Sequence, residues 1–158
     1  MVCVNPGEAM RVNRALNKIS KLYRAAKARK LAALGLHPGQ DVLLWILAQE
    51  REGMTVSQLA ARLGIEPPTV TRSLARLEGG GWFRREPVPA DRRQVRIVVT
   101  DAGHRLVPAI ERAWAELAEE TMGPASDEER EIVLTALESA NNRLRGLVGD
   151  SERVLAEE

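Results

Sequence analysis

The sequence predicts a mainly α fold with a small antiparallel β-wing, a winged helix-turn-helix flanked by N- and C-terminal helices. Three observations carry that expectation. Two short amphipathic segments, 55–63 and 67–77, are separated by a corner containing Gly64, which suits the turn of a helix-turn-helix. Two alternating segments, 82–86 and 95–99, follow at once with arginines on and between them, the pattern of a β-hairpin. Long stretches of helical periodicity lie on both sides.

Taken in order, Asn5-Pro6-Gly7-Glu8 is a helix start, with Asn5 as cap, Pro6 at the first helical position and Glu8 placed to answer the cap. Leu16, Ile19, Leu22, Tyr23, Ala26 and Leu34 then recur at helical spacing until Gly35 closes the segment. A helix of roughly thirty residues is longer than one small core covers, which points to a partner subunit. Pro38 opens a second helix, expected to end near Gly53, whose Val42, Leu43, Trp45, Ile46 and Leu47 imply near-complete burial. Thr55-Val56-Ser57-Gln58 is a capping box for a third helix with Leu59, Ala60 and Leu63 inward and Gly64 as its stop. Pro67 and Pro68 begin a fourth helix, with Val70, Leu74 and Leu77 on one stripe and Gly79-Gly80-Gly81 at its end.

Trp82 to Glu86 and Val95 to Val99 read as strands, the second with Val95, Ile97 and Val99 on one face and Arg96 and Val98 on the other. Residues 87–94 between them form a polar, Pro-broken tip. Thr100 caps a fifth helix reaching Met122, with Leu106, Val107, Ile110, Trp114 and Leu117 inward and a bend at Pro108. After Gly123-Pro124, Ser126-Asp127-Glu128-Glu129 is a capping box for a sixth helix bearing Ile132, Val133, Leu137, Leu144 and Leu147. The expected division is 1–37 and 101–149 for dimerisation helices, 38–100 for the winged unit, and 150–158 for a loose tail.

At 158 residues, with 44% hydrophobic and 28% charged, the chain supports one packed domain or two small ones sharing a core. The longest strongly apolar stretch, 42–48, is far too short to span a bilayer, and no secretory leader pattern opens the chain. A cytoplasmic, nucleoid-associated protein with no membrane partner is the expectation. The single cysteine, Cys3, allows no disulfide framework within one chain, and it reads as a frayed terminal residue more readily than as a redox sensor or a pair between chains. With only His37 and His104 beside it, no metal or other cofactor is expected. An enzyme built on His104 with Asp101 or Glu111 lacks any nucleophile elbow, phosphate loop or metal spacing in support.

Charge is polarised although the net is +1. Residues 1–37 carry eight Lys and Arg against one acid, residues 38–100 nine Arg against seven acids, and residues 101–158 six Arg against fourteen acids. A basic front and acidic rear suit either a polyanion or two ends that pack together.

Function concentrates in the winged unit. On the fourth helix Pro68, Thr69, Thr71, Arg72, Ser73 and Arg76 lie off the apolar stripe, and no acid occurs from Pro67 to Leu77. Arg forms bidentate contacts to guanine, Thr offers a methyl to thymine or a hydroxyl to phosphate, and a phosphate-facing helix excludes acids. The plain alternative is a solvated polar face. A capped helix before it, the Gly64 corner and the Arg-tipped hairpin after it favour double-stranded DNA, with the second helix in the major groove. A winged domain that binds only protein is compatible with the fold, but the outward Arg72, Arg76, Arg92 and Arg93 argue against it.

Leu59-Ala60 to Leu63, Pro68-Thr69-Val70-Thr71-Arg72 to Leu77-Glu78, Gly81, Arg85, Asp91-Arg92-Arg93 and Val99-Thr100-Asp101-Ala102-Gly103 together resemble the MarR family of bacterial regulators. The Asp-Arg-Arg wing followed by Arg96-Ile97 is closest to its SlyA branch. Val99 stands where the family usually has Leu, a conservative core exchange. The resemblance implies a homodimer formed by the terminal helices, reading a pseudo-palindromic operator as a repressor. It implies that Arg72 reads or anchors the major groove, and that Arg93 enters the minor groove, where narrow A·T-rich segments concentrate negative potential. Asp91 would brace the wing by pairing with a nearby Arg, or serve as an ordinary turn residue; Arg92 would contact phosphate or join the brace, and Gln94 completes the DNA-facing set. Apolar burial by Leu16, Ile19, Leu137, Leu144 and Leu147 would hold the dimer. Release by a small lipophilic or aromatic effector, such as a phenolic anion, is also implied, with Arg14, His37 and Trp45 as candidate contacts. Their duller readings are surface charge, a helix cap and core.

Overall fold

The structure, a computed structural model, describes residues 4–148. Cys3 and the tail expected to be loose, 150–158, lie outside the described residues, as does the side chain of Arg92. Six α-helices and a small sheet follow in the order α1 (Pro6–Ala32), α2 (Gln40–Ala48), β1 (Met54–Thr55), α3 (Val56–Leu63), α4 (Pro67–Leu77), β2 (Phe83–Val88), β3 (Asp91–Val99), α5 (Asp101–Met122) and α6 (Asp127–Val148).

The caps predicted from sequence form. Asn5 Oδ1 accepts from the Glu8 N–H at 2.9 Å, with Pro6 at the start of α1. Both bonds of the Thr55/Gln58 box are made, at 2.8 and 3.2 Å, and both of the Ser126/Glu129 box, at 2.7 and 3.2 Å. The Thr100 hydroxyl accepts from the Gly103 N–H and donates to the Gly81 carbonyl, so the α5 cap also ties down the base of the wing. Gly35 and Gly64 close α1 and α3 at φ 72° and 71°, conformations that cost other residues strain.

Helix α2 departs from expectation at both ends. It begins at Gln40 because Pro38 and Gly39, the latter at φ 90°, are spent in the corner after α1. It stops at Ala48, with the Gln49 and Glu50 N–H groups donating to Ile46 and Leu47 carbonyls. The turn that follows needs Gly53: a Cβ there would stand 2.4 Å from the Ile97 carbonyl oxygen. That close approach delivers Met54 and Thr55 to the sheet as β1, a two-residue strand that shows no period in the sequence.

The sheet is antiparallel in the order β1-β3-β2, with Met54 opposite Ile97 and Phe83 opposite Val99. Both wing strands run further than expected, leaving only Pro89 and Ala90 as the tip, with an irregularity between Pro87 and Val88. Pro87 is tolerated because β2 is an edge strand, where a missing N–H breaks no ladder. Ile97 and Val99 are buried as predicted. Val95 is 44% exposed, because β3 has not yet reached the core there on its way in from the wing tip, and Val98 on the opposite face is buried against the Gly53 turn.

The core gathers Leu43, Leu44 and Leu47 of α2, Leu59 and Leu63 of α3, Val70, Leu74 and Leu77 of α4, Ile97 of β3 and Ile110 of α5. It also contains a charge. Asp41 is fully buried and accepts from Lys27 Nζ at 3.0 Å, Trp114 Nε1 at 2.7 Å and the Gly39 N–H at 2.9 Å, joining α1, α2 and α5. Nearby, Lys30 pairs with Glu116 and Glu120 of α5, and the Glu120 hydrogen bond foremost raises its ammonium pKa. Part of the basic-front, acidic-rear polarity is thus answered within one chain.

The terminal helices are another matter. Leu31 is the only residue of α1 buried. Leu16, Ile19, Leu22 and Tyr23 are exposed, as are Ile132, Val133, Leu137, Leu144 and Leu147 on α6.

Candidate nucleic-acid interface

Helix α4 presents its faces as its periodicity requires. Val70, Leu74 and Leu77 are buried, which puts Arg72 on the opposite crest with Pro68 and Arg76 beside it, all exposed. Thr71 is exposed too, but its hydroxyl donates to the Pro67 carbonyl at 3.0 Å, so its proton is committed to the helix. Thr69 and Ser73 are only half-exposed. They turn with Arg76 toward a cleft of about 70 Å³ between α4 and the corner that joins α1 to α2, where His37 is also found.

At the wing, Asp91 behaves as a turn residue in the contacts described for it. Its Oδ1 accepts from the Arg93 N–H at 3.0 Å and its Oδ2 from Gln94 Nε2 at 3.2 Å. A separate network spans the strands of the wing. Glu86 on β2 accepts from Arg84 Nε at 2.6 Å and from Arg96 Nη2 at 3.1 Å. These two guanidinium groups, Arg84 first, hold the Glu86 carboxyl below its ordinary pKa. Arg96 also reaches Glu52 at 3.3 Å, tying the wing to the turn before β1. Arg85 pairs with Glu78 and lies 5.8 Å over the Phe83 ring. Same-face alternation of Arg84 and Glu86 was available as a signal. The Glu86–Arg96 pair needed the strand register.

The consequence is a division among the arginines. Arg84, Arg85 and Arg96 are spent on intramolecular acids. Among the described residues Arg72, Arg76 and Arg93 carry no ion pair, and all three are exposed.

The three effector candidates are not brought together. Arg14 is exposed on the free half of α1. Trp45 donates from Nε1 to Glu111 at 2.9 Å and sits 5.8 Å from the Trp114 ring, so it serves packing between α2 and α5. His37 alone of the three lines the cleft, and its backbone N–H donates to Gln40 Oε1 at 2.9 Å. His104 is exposed, and no group of three metal-ligating side chains occurs among the described residues.

The family model described as "MarR family" matches residues 36–95, from the α1–α2 corner to the middle of β3. The chain is 31% identical over 148 residues to the HTH-type transcriptional regulator PecS of Dickeya dadantii, covering 91% of this chain and 75% of that one. The chain belongs to the MarR family.

As a MarR-type protein it is a DNA-binding transcriptional regulator, a class without enzymatic activity. Solved MarR-family structures share its winged fold with both flanking helical segments. A MarR transcriptional regulator from Methanosarcina mazei Go1 superposes with a TM-score of 0.73 at 22% identity, covering 87% of this chain and 99% of that one. The S. aureus MepR–DNA complex superposes equally well, TM-score 0.73 at 24% identity, covering 83% and 96%. No helix among the described residues is long and apolar enough to cross a membrane.

Proposed function

We propose that this MarR-family protein binds a pseudo-palindromic operator as a homodimer and represses transcription until a small lipophilic or aromatic anion releases it. The observation that carries the DNA contact is the division among arginines. Arg72 on the crest of α4 and Arg93 beside the wing tip are exposed and free of ion pairs among the described residues, while the arginines nearer the wing base are paired. Arg72 supplies the major-groove contact and Arg93 the minor-groove contact. Pro68, Thr71 and Gln94 are exposed beside them in the chain, and the Asp91-Arg92-Arg93 tip supports placement with the SlyA branch.

Homodimerisation rests on the terminal helices. A helix whose apolar stripe meets no core gains stability only by packing against something else, and α6 is such a helix. Residues 1–37 and 101–149 therefore serve the dimer, and 38–100 the operator. A two-fold dimer presents two copies of α4 one helical turn apart on DNA. An effector acts by binding one spacing of those helices more tightly than the other. A protein of this function works in the cytoplasm at the nucleoid.

Footprinting on the DNA flanking its own gene, repeated with a panel of aromatic and phenolic acids, tests the reading. A protected inverted repeat that one of the acids releases supports it; the absence of any protected site overturns it.

A further inference from the structure

We propose that the buried polar cluster around Asp41 fixes the half-site spacing this protein accepts. Asp41 and Lys27 are then positioning residues for operator selectivity, although they sit on α2 and α1 and not on α4 or the wing. The inference rests on the reading of the protein as a dimeric DNA binder. It adds the joint at which the winged unit is set against the terminal helices.

Every residue of α1 before Ala26 is exposed, so the helix meets the body of its own chain only in its last two turns. Lys27 stands at that point of entry, and its ammonium reaches the fully buried Asp41 carboxylate at 3.0 Å. Asp41 belongs to α2, whose Leu43, Leu44 and Leu47 share a core with Leu59 of α3, Val70 and Leu74 of α4 and Ile97 of β3. Helix α2 therefore moves with the winged unit. Trp114 of α5 donates to the same carboxylate at 2.7 Å. Trp45 of α2 donates to Glu111 of α5 at 2.9 Å, its ring 5.8 Å from that of Trp114. Lys30 ties α1 to Glu116 and Glu120 of α5. The buried apolar side chains that the two long helices bring to this joint are few: Leu31 on α1, Ile110 and Leu117 on α5.

Apolar contact is non-directional, so a thin apolar joint by itself leaves the crossing angle of the helices soft. A hydrogen-bonded charge pair in a low-dielectric interior holds one geometry, because misalignment leaves a buried charge uncompensated. Its place at the entry of α1 amplifies the constraint. The stretch from Pro6 to Lys27 is about 30 Å long at ~1.5 Å per residue. Turning it by about 6° at Lys27 moves the far end by about 3 Å, close to the ~3.4 Å rise of a base pair. With the exposed stripes of α1 and α6 as the dimer contact, the angle held at Asp41 becomes the distance between the two copies of α4. Spacing is then selected at a site that touches no base.

Two variants of the full chain test this. Lys27→Met with Asp41→Asn removes both charges and leaves a side-chain acceptor at position 41; Trp114→Phe removes one donor and keeps an aromatic ring. Each is titrated by fluorescence anisotropy on the operator, on operators with one or two base pairs inserted or deleted between the half-sites, and on a random duplex. Thermal melting and sedimentation report fold and dimer. The parent is expected to bind its native spacing about tenfold or more tighter than the altered ones, as the loss of one bidentate base contact already predicts. The double variant is expected to lose most of that preference and Trp114→Phe part of it, with random-duplex affinity unchanged in both. A parent-like spacing profile in the folded double variant, or a loss by the same factor on every duplex, overturns the proposal while leaving DNA binding intact. Should the double variant melt below the assay temperature, Trp114→Phe decides, and a parent-like profile there overturns it equally. A parent that binds no duplex, or binds the operator as a monomer, overturns the dimeric reading instead.

Discussion

Arg96 on β3 and Glu86 on β2 are register partners, and their side chains meet at 3.1 Å. This pair, extended through Arg84 and Glu52, makes the wing a braced projection instead of a loose hairpin. The brace depends on Glu86 being ionised. Its folded pKa lies below the ordinary carboxylate value of 4.5, owing first to Arg84 and then to Arg96. A depressed carboxylate contributes stability that is present above its unfolded pKa and is lost as pH falls through the folded one. Glu86→Gln is therefore expected to lower the melting temperature at neutral pH, with the gap from the parent closing only in acid, below pH 4.5. A melting-temperature difference independent of pH from neutral down to strong acid would refute this.

The buried Asp41 carboxylate has three donors and one charge partner, Lys27. Removing one member of a buried pair costs ~3–5 kcal/mol because the other is left uncompensated. Asp41→Ala is expected to destabilise the fold by about that amount in urea unfolding. Asp41→Asn keeps an acceptor for Trp114 and is expected to cost less. Equal losses for the two variants would show that the Trp114 bond contributes nothing.

Arg72 and Arg93 are expected to fail differently when truncated. Arg72→Ala weakens operator binding far more than random-duplex binding, as base contacts do, with about 1–3 kcal/mol of discrimination lost. Arg93→Ala lowers affinity and flattens the salt dependence by about one unit. Binding titrations on both duplexes decide between them; equal loss on operator and random DNA after Arg72→Ala would make its role purely electrostatic.

The exposed stripe of α6 predicts the oligomer. Leu137→Glu with Leu144→Glu is expected to leave the winged unit folded, since neither residue touches the core, and to convert a dimer to a monomer in sedimentation. Operator affinity falls with it. A parent protein that sediments as a monomer at micromolar concentration while still binding the operator would end the dimer proposal.

What the sequence by itself determined is everything decided within a few residues. The caps at Asn5, Thr55, Thr100 and Ser126, the glycine closures at Gly35 and Gly64, and the α4 stripe that turns Arg72 outward all follow from local hydrogen bonds and the 3.6-residue period. These were enough to order the elements and to place the α4 and wing-tip residues proposed to contact DNA. Tertiary structure decided what depends on who faces whom. β1 exists only because the Gly53 turn presses against Ile97, and the wing extends to Pro89-Ala90 because its edge position tolerates Pro87. Strand register, which no short-range pattern specifies, paired Glu86 with Arg96. The same holds for the polar residues of α4. The sequence grouped Thr69, Ser73 and Arg76 with Arg72, and only the approach of the α1–α2 corner, which brings His37 to their flank, divides that helix into two faces.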